Sequence, residues 1–320
     1  MPTVSVILPT FNRLQYLREA VDSVFAQTFR DWELIIADDG SDSETAAYLM
    51  TLADLPRVKL LRLLHTGNPS AVRNAALRTA RGQYVAFLDS DDVWLPTKLD
   101  IQLAAHAANT ASRWSYTALT RIDASGNLMR DGLGLRWVPY NGAIFEQLLT
   151  FEAAVAMPTV LADRRLVEQV GGFDEEQPFY EDYDLWLRLS LLSDVIAINE
   201  PLALVRNHSE HYSADRVRVY EAKFRLLDNM AHHAATERLR SVLRMERAKN
   251  AASLAVVCAA AGRRTQALRM LWRSRECAWH HREWWRKARG TLVRALAPSW
   301  LQEAVRRHRR RGRTLATEQN

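Results

Sequence analysis

The sequence predicts an α/β fold built on a parallel, doubly wound sheet. Three observations predict it. Short apolar runs alternate with helix-length amphipathic segments through the first hundred residues. The apolar runs lack the two-residue alternation of a half-exposed strand, which suits strands buried on both faces. Each run also stops at a cluster of polar residues.

The elements follow in order. Val4–Pro9 is the first strand, and Met1–Pro9 lacks the positive flank and cleavage site of a signal peptide. Arg13–Gln27 places Leu14, Leu17, Val21, Val24 and Phe25 on one helical face. Glu33–Ala37 is the second strand, and Ser41–Ala53 a helix with Ser41 or Ser43 as N-cap. Val58–Leu64, Ser70–Ala80 and Tyr84–Leu88 read as strand, helix and strand. Trp94–Ala108 reads as a helix that tolerates Pro96 in its first turn. From about 110 to 215 the pattern is less regular, with a turn at Asp123–Asn127 and a helix over Asp182–Leu192. Beyond Val217 nearly everything reads as helical, including a hairpin over Ala255–Leu271 that turns at Gly262.

Composition narrows the class. With 320 residues, 48% apolar and 25% charged, the chain is ordinary globular protein. Its longest strictly apolar run is Leu254–Ala261, far short of the roughly 20 residues that span a bilayer. Two cysteines, Cys258 and Cys277, make no disulfide framework, so a cytoplasmic location is expected. The net charge of +6 is uneven: Arg263–Arg313 holds 16 Lys and Arg against 3 Asp and Glu, while the body before it is acidic. The expected organisation is a catalytic domain over 1–215, a helical region over 216–305 and a basic, disordered tail over 306–320.

The strand ends carry the chemistry. Thr10 and Asn12 follow the first strand, Asp38–Asp39–Gly40–Ser41 the second, His65 the third and Asp89–Ser90–Asp91–Asp92 the fourth. Ligands of open α/β sheets bind at the carboxyl ends of strands, so the four clusters predict one site. Asp89 and Asp91 can direct two carboxylates toward one hard cation such as Mn²⁺ or Mg²⁺, although short acidic turns are common. Asp92 adds a third acid, whose repulsion raises pKa values unless a cation is present. Asp38 can accept from an imide N–H of a base, or merely close a turn. Arg73 can face a phosphate or remain a solvated helical charge. Glu181–Asp182–Tyr183–Asp184 opens a helix, where acids either complement the dipole or serve as a general base toward a hydroxyl. His208 is a lone histidine that gains meaning only beside Asp91.

These segments resemble family-2 glycosyltransferases of the GT-A fold. The resemblance rests on VSVILPTFNR (Val4–Arg13), WELIIADDGS (Trp32–Ser41), GNPSAVRNAAL (Gly67–Leu77), RGQYVAFLDSDD (Arg81–Asp92), GGFDE (Gly171–Glu175), EDYDLWLRL (Glu181–Leu189) and VRNHSEHYS (Val205–Ser213), in the family's order. It implies a Rossmann-like, mostly parallel sheet flanked by helices, with a helical extension that has no counterpart. It implies a nucleotide-sugar donor, most often UDP-linked, a glycan or lipid-linked acceptor, and inversion at the anomeric carbon. By position, Pro9, Thr10 and Asn12 would line the nucleoside pocket, Asp38 hold the base, Asp39 support the turn and Arg73 help hold the nucleotide. Asp89 and Ser90 would lie on the donor and metal side. Asp91 would coordinate the cation, with His208 as a further ligand. Asp182 would be the catalytic base, with Glu181 as its alternative. Trp186 and Gly171–Gly172 would shape the acceptor side, together with loops in Arg130–Phe151.

Two other classes compete. A nucleotidyltransferase wants a glycine-rich phosphate loop, and neither GxGxxG nor a P-loop occurs. An inactive binding scaffold does not need the intact Asp89, Asp91, Asp182 and His208. The Arg- and Trp-rich C-terminus suggests peripheral contact with the inner face of a membrane, or a packed helical extension, rather than nucleic-acid binding.

Overall fold

The computed structural model describes residues 1–129, 137–207, 215–275 and 282–296. The chain divides into two compact units, Met1–His211 and Tyr212–Asn320.

The first unit opens with the expected alternation: β1 (Val4–Thr10), α1 (Leu14–Phe25), β2 (Trp32–Asp38), α2 (Ser43–Ala53), β3 (Val58–Arg62), α3 (Pro69–Leu77) and β4 (Tyr84–Phe87). It continues with β5 (Val93–Trp94), α4 (Lys98–Ala108), β6 (Trp114–Ile122), α5 (Phe145–Leu149), β7 (Leu161–Asp163), α6 (Arg164–Gln169), α7 (Glu181–Ser190) and β8 (Val195–Arg206). All eight strands form one sheet in the order β3-β2-β1-β4-β7-β6-β8-β5. The β3-β2-β1-β4 half is parallel throughout. Beyond β4 the sheet is mixed: β7 runs antiparallel to β4 and to β6, while β6 and β8 are parallel.

Apolar side chains explain the first half. β2 is buried at every residue, and Val4, Val6, Ile7 and Leu8 of β1 are fully enclosed. Leu17, Ala20, Val21 and Val24 of α1 cover one face of these strands. The chain leaves β1 in one direction and β4 in the other, so the strand order reverses between these neighbours. That reversal opens a crevice at their carboxyl ends.

Two expectations need correction. The N-cap of α2 is Asp42, whose side chain accepts from Thr45 N at 2.8 Å, not Ser41 or Ser43. The segment from Trp94 does not begin as a helix. Pro96 disfavours helical backbone at the residue before it. Leu95 N donates to Leu202 O, Trp94 pairs with Ala203 in β8, and the helix starts at Lys98. The Trp94 indole N–H donates to Pro158 O, closing this corner over the core.

The second unit is helical in its described residues: α8 (Arg216–Ala231), α9 (Glu237–Ala260), α10 (Arg264–Arg273) and α11 (Arg282–Leu296). The hairpin turn falls at Gly262, with φ of +79°. Leu254, Ala255 and Cys258 of α9 pack with Ala267 and Leu271 of α10 and Ala288 of α11. Cys277 and the basic stretch Arg306–Arg313 lie outside the described residues.

Candidate active site

The polar strand ends meet in one connected cluster. Thr10 of β1 lies in register with Asp38 of β2, and Asp38 with Arg62 of β3. Asp38 is wholly buried: one oxygen accepts from Ser41 N at 2.9 Å, and Arg62 Nε stands 3.9 Å from the other. That second oxygen has no hydrogen-bond partner, nor does the buried Thr10 hydroxyl beside it. Buried orphan acceptors are costly, and a ligand donor would relieve this one. Asp39 is already engaged: it accepts from Thr66 N and Oγ1 and from Gly67 N, fixing the loop after β3. Exposed Phe11 stacks on His65 with centroids 4.2 Å apart, at the rim of the same strand ends.

Asn12 is tied down rather than open. Its Oδ1 accepts from Asp42 N, and its own N–H donates to Ser41 Oγ, both at 2.8 Å. Arg13, next along, donates from Nη1 to Asp91 Oδ2 at 2.7 Å and so bridges the crevice from β1 to the turn after β4. That turn closes with Asp92 N donating to Asp89 O. Pro9 and Ser90 lie at the same strand ends, both half-buried.

Arg73 is the hub. Its Nη2 donates to Asp89 Oδ1 at 2.6 Å and its Nη1 to Glu181 Oε1 at 3.2 Å, with its side chain 7% exposed. It therefore joins α3, the β4 turn and the first turn of α7, where the sequence left it open between a solvated helical charge and a phosphate contact. Its Nε has no partner, which leaves one inward donor unspent. Gly172 backs this arrangement. At φ +70° it sits so close to α3 that a Cβ would meet Asn74 Oδ1 at 2.7 Å. Asn74 in turn accepts from Phe173 N and donates to Phe173 O.

Asp182 follows Glu181 on α7. Burial and the Glu181 carboxylate push its pKa up to about 7, against the pull of the Tyr183 N–H and of Arg73. The Asp89 charge adds to the rise. Glu181 is held in an ion pair with Arg73, so Asp182 is the better placed of the two to take a proton. Its flank is aromatic: Phe151 stacks on Tyr183 at 4.8 Å and meets Tyr180 edge-on at 5.5 Å. Trp186, by contrast, is wholly buried and stacks on Trp114 in the core, so it does not line an open surface as the resemblance implied.

Asp92 is not a surface member of the acidic group. It is buried, accepts from Arg206 N at 2.9 Å, and is pushed well up by burial and by Asp89 and Asp91. Arg206, enclosed at the end of β8, donates from Nε to Asp91 O at 2.9 Å, pairs with Glu19 and lies 4.6 Å over the Tyr16 ring. Sequence reasoning missed Arg206 and Arg13 as structural partners, because their partners are 115 and 78 residues away. His208 lies outside the described residues. Among those residues no three His, Cys, Asp or Glu groups converge as a ready metal site.

One contiguous chain of contacts thus runs from Asp38 through Ser41, Asn12 and its neighbour Arg13 to Asp91. It continues through the turn to Asp89, Arg73 and Glu181, beside Asp182. Fold and cluster together define an α/β protein that carries its polar groups at the switch point of its sheet. The chain belongs to glycosyl transferase family 2, whose model matches residues 5–166.

Among relatives, it is 31% identical over 196 residues to the UDP-Glc:alpha-D-GlcNAc-diphosphoundecaprenol beta-1,3-glucosyltransferase WfgD of Escherichia coli, covering 61% of this chain and 73% of that one. It is 32% identical over 204 residues to the uncharacterized glycosyltransferase RC0461 of Rickettsia conorii, covering 63% of this chain and 32% of that one. Several curated relatives are thus matched over only about a third of their length, as with 28% of the chondroitin synthase of Escherichia coli. The fold is GT-A-like. The mannosyltransferase PcManGT from Pyrobaculum calidifontis, in complex with GDP-Man and Mn²⁺, superposes with a TM-score of 0.58 at 18% identity, covering 92% of this chain and 86% of that one. TarS 1–349 of Staphylococcus aureus, in complex with UDP-GlcNAc, gives 0.56 at 16% identity over 86% and 88%.

Proposed function

We propose that the chain transfers a sugar from a nucleotide-sugar donor, UDP-linked, to a hydroxyl of a glycan or lipid-linked acceptor in cell-surface polysaccharide synthesis, with inversion. One observation carries this reading: the switch-point crevice joins an orphaned buried acceptor at Asp38 to an acid, Asp182, held near neutrality. The names of the WfgD and TarS relatives, with their UDP-linked sugars, support the donor class.

The roles follow from position. Asp38 Oδ2, with Thr10 beside it, would accept from the base. Pro9, Phe11, Asn12 and Asp39 would shape the nucleoside pocket around it, and Arg73 would hold the β4 turn to α7. Asp89 and Asp91, with Ser90 between them, would hold Mn²⁺ or Mg²⁺. Two half-buried carboxylates suit a small hard cation. Bound there, the ion supplies charge stabilisation of the leaving diphosphate. Asp182 would take the acceptor's proton as the hydroxyl attacks from the face opposite the nucleotide. A single displacement needs this one base, whereas a glycoside hydrolase needs two carboxylates flanking the bond.

The second unit supports the membrane part of the reading. Trp272 and Trp285 are exposed among arginines, with Arg275 stacked on Trp272. No described helix is long and apolar enough to cross a membrane. Contact would be peripheral, at an anionic lipid surface on the cytoplasmic side. Flotation with anionic vesicles should weaken when Arg306–Arg313 is deleted, and unchanged flotation would remove that part.

The central test is turnover of UDP-, GDP- and dTDP-sugars with Mn²⁺. Activity with a UDP-sugar that EDTA stops and Asp91→Ala abolishes, in a protein of unchanged thermal midpoint, is the expected result. Full activity in EDTA, or in Asp91→Ala, would defeat the site assignment.

A further inference from the structure

We propose that Arg13 is a resident counter-ion that the divalent cation must displace. In the unloaded protein it closes the crevice by pairing with Asp91. When donor enters, Arg13 yields Asp91 to the cation and pairs with the diphosphate. The proposal rests on the nucleotide-sugar reading above and adds to it a residue with no role there.

Geometry comes first. β1 and β4 are the strands between which the order reverses, and the Arg13–Asp91 pair spans their carboxyl ends at 2.7 Å. A ligand in that crevice meets this pair directly. Asn12 and Arg13 are consecutive non-glycine residues with φ of 57° and 59°. That left-handed backbone comes at a cost, and such strain persists only where the surroundings enforce it. The enforcing contacts are those of Asn12 with Ser41 and Asp42. The loop is therefore held from the α2 side, and the Arg13 side chain can let go of Asp91 without the loop unfolding.

Exposure separates the two guanidinium–carboxylate pairs. Arg73, paired with both Asp89 and Glu181, is 7% exposed, and freeing it from this shared ion-pair network would break up a largely buried arrangement. Arg13 and Asp91 are 31% and 20% exposed, so solvent can take over either partner at small cost. Only the Arg13 pair is suited to exchange. Electrostatics sets the direction. A divalent ion on Asp91 repels a guanidinium held at the same carboxylate. A diphosphate nearby offers that guanidinium a fork-matched anion.

The consequence is a change of sign that no purely structural arginine produces. Without nucleotide, Arg13 and the cation compete; with nucleotide, they cooperate. The test uses the full chain, Mn²⁺ alone and UDP with Mn²⁺, read by calorimetry. Arg13→Gln should bind Mn²⁺ alone about threefold to fivefold more tightly, the scale of a half-exposed ion pair. It should bind UDP in the presence of Mn²⁺ about tenfold more weakly, and Arg13→Lys should recover part of that loss. Unchanged or weaker Mn²⁺ binding by Arg13→Gln overturns the proposal, as does unchanged UDP binding. If the wild type itself binds no UDP with Mn²⁺, the donor reading fails and takes the proposal with it. A wild type that binds both, with Arg13→Gln indistinguishable from it, sinks the Arg13 role alone.

Discussion

At the scale of the residue, Asp182 is a carboxyl group with an acid beside it and a cation one residue further out. Its neighbours hold its pKa at about 7, raised mainly by burial and Glu181. A base must be ionised to work, so kcat/KM should climb as pH rises through about 7. Asp182→Asn should remove that limb and lower kcat by about 10²- to 10⁴-fold. Glu181→Gln deletes the neighbouring like charge, so the limb should move to lower pH. A pH–rate profile of the three proteins checks this, and a limb that stays in place in Glu181→Gln would mean another group controls it. The acid pair was legible in the sequence, and the preference for Asp182 over Glu181 came from the family resemblance alone. What bears on it is the Arg73–Glu181 pair, and Arg73 stands 108 residues away.

At the scale of the element, α3 carries both Arg73 and Asn74 and is locked to the chain before α7 through Gly172. Alanine there would have to keep φ near +70° and would drive its Cβ against Asn74 Oδ1 at 2.7 Å. Gly172→Ala should therefore cost about 1–3 kcal/mol, seen as a lower thermal midpoint. Because α3 also carries Arg73, donor affinity should fall with it, whereas Gly171→Ala, with no heavy atom within 4 Å of its Cβ, should spare the Asn74 contact. Equal effects at the two positions would refute the packing argument. Elements that bury a stripe or a run against near neighbours were readable: β1 to β4 follow from unbroken apolar runs and the helices between them from their apolar faces. β6 and β8 were not, because their pairing joins Trp114 to Val195 and no local pattern records a partner 81 residues away. β5 was misread for the opposite reason. Trp94 reads as the start of the helix over Trp94–Ala108, and Pro96 together with the distant strand β8 overrides that. The α2 cap was ambiguous because Ser41, Asp42 and Ser43 can all cap, and only the backbone decides among them.

At the scale of the whole molecule, folding of the first unit encloses a lysine with no carboxylate partner among the described residues. Lys98 is 0% exposed; its Nζ donates to Gln102 Oε1 at 2.6 Å and lies 4.2 Å over the Trp94 ring. Burial lowers its pKa from 10.5 to about 7. Between those values the unfolded chain binds a proton that the folded chain does not. Stability should therefore rise with pH from about 7 toward 10. Below about 7 the folded state must carry the buried charge, and this contribution is lost. His106, lowered by burial, acts with the same sign but from an ordinary value of 6.5, below this window. Asp182 acts with the opposite sign, between 3.8 and about 7. Lys98→Met removes the titrating group but strands the Gln102 oxygen, so its absolute stability is a poor guide. The slope is the better one, since comparing the two proteins cancels every group they share. The thermal midpoint of the wild type should rise more steeply between pH 7 and 10 than that of Lys98→Met, and equal slopes would show that Lys98 keeps its proton in the folded state throughout the window.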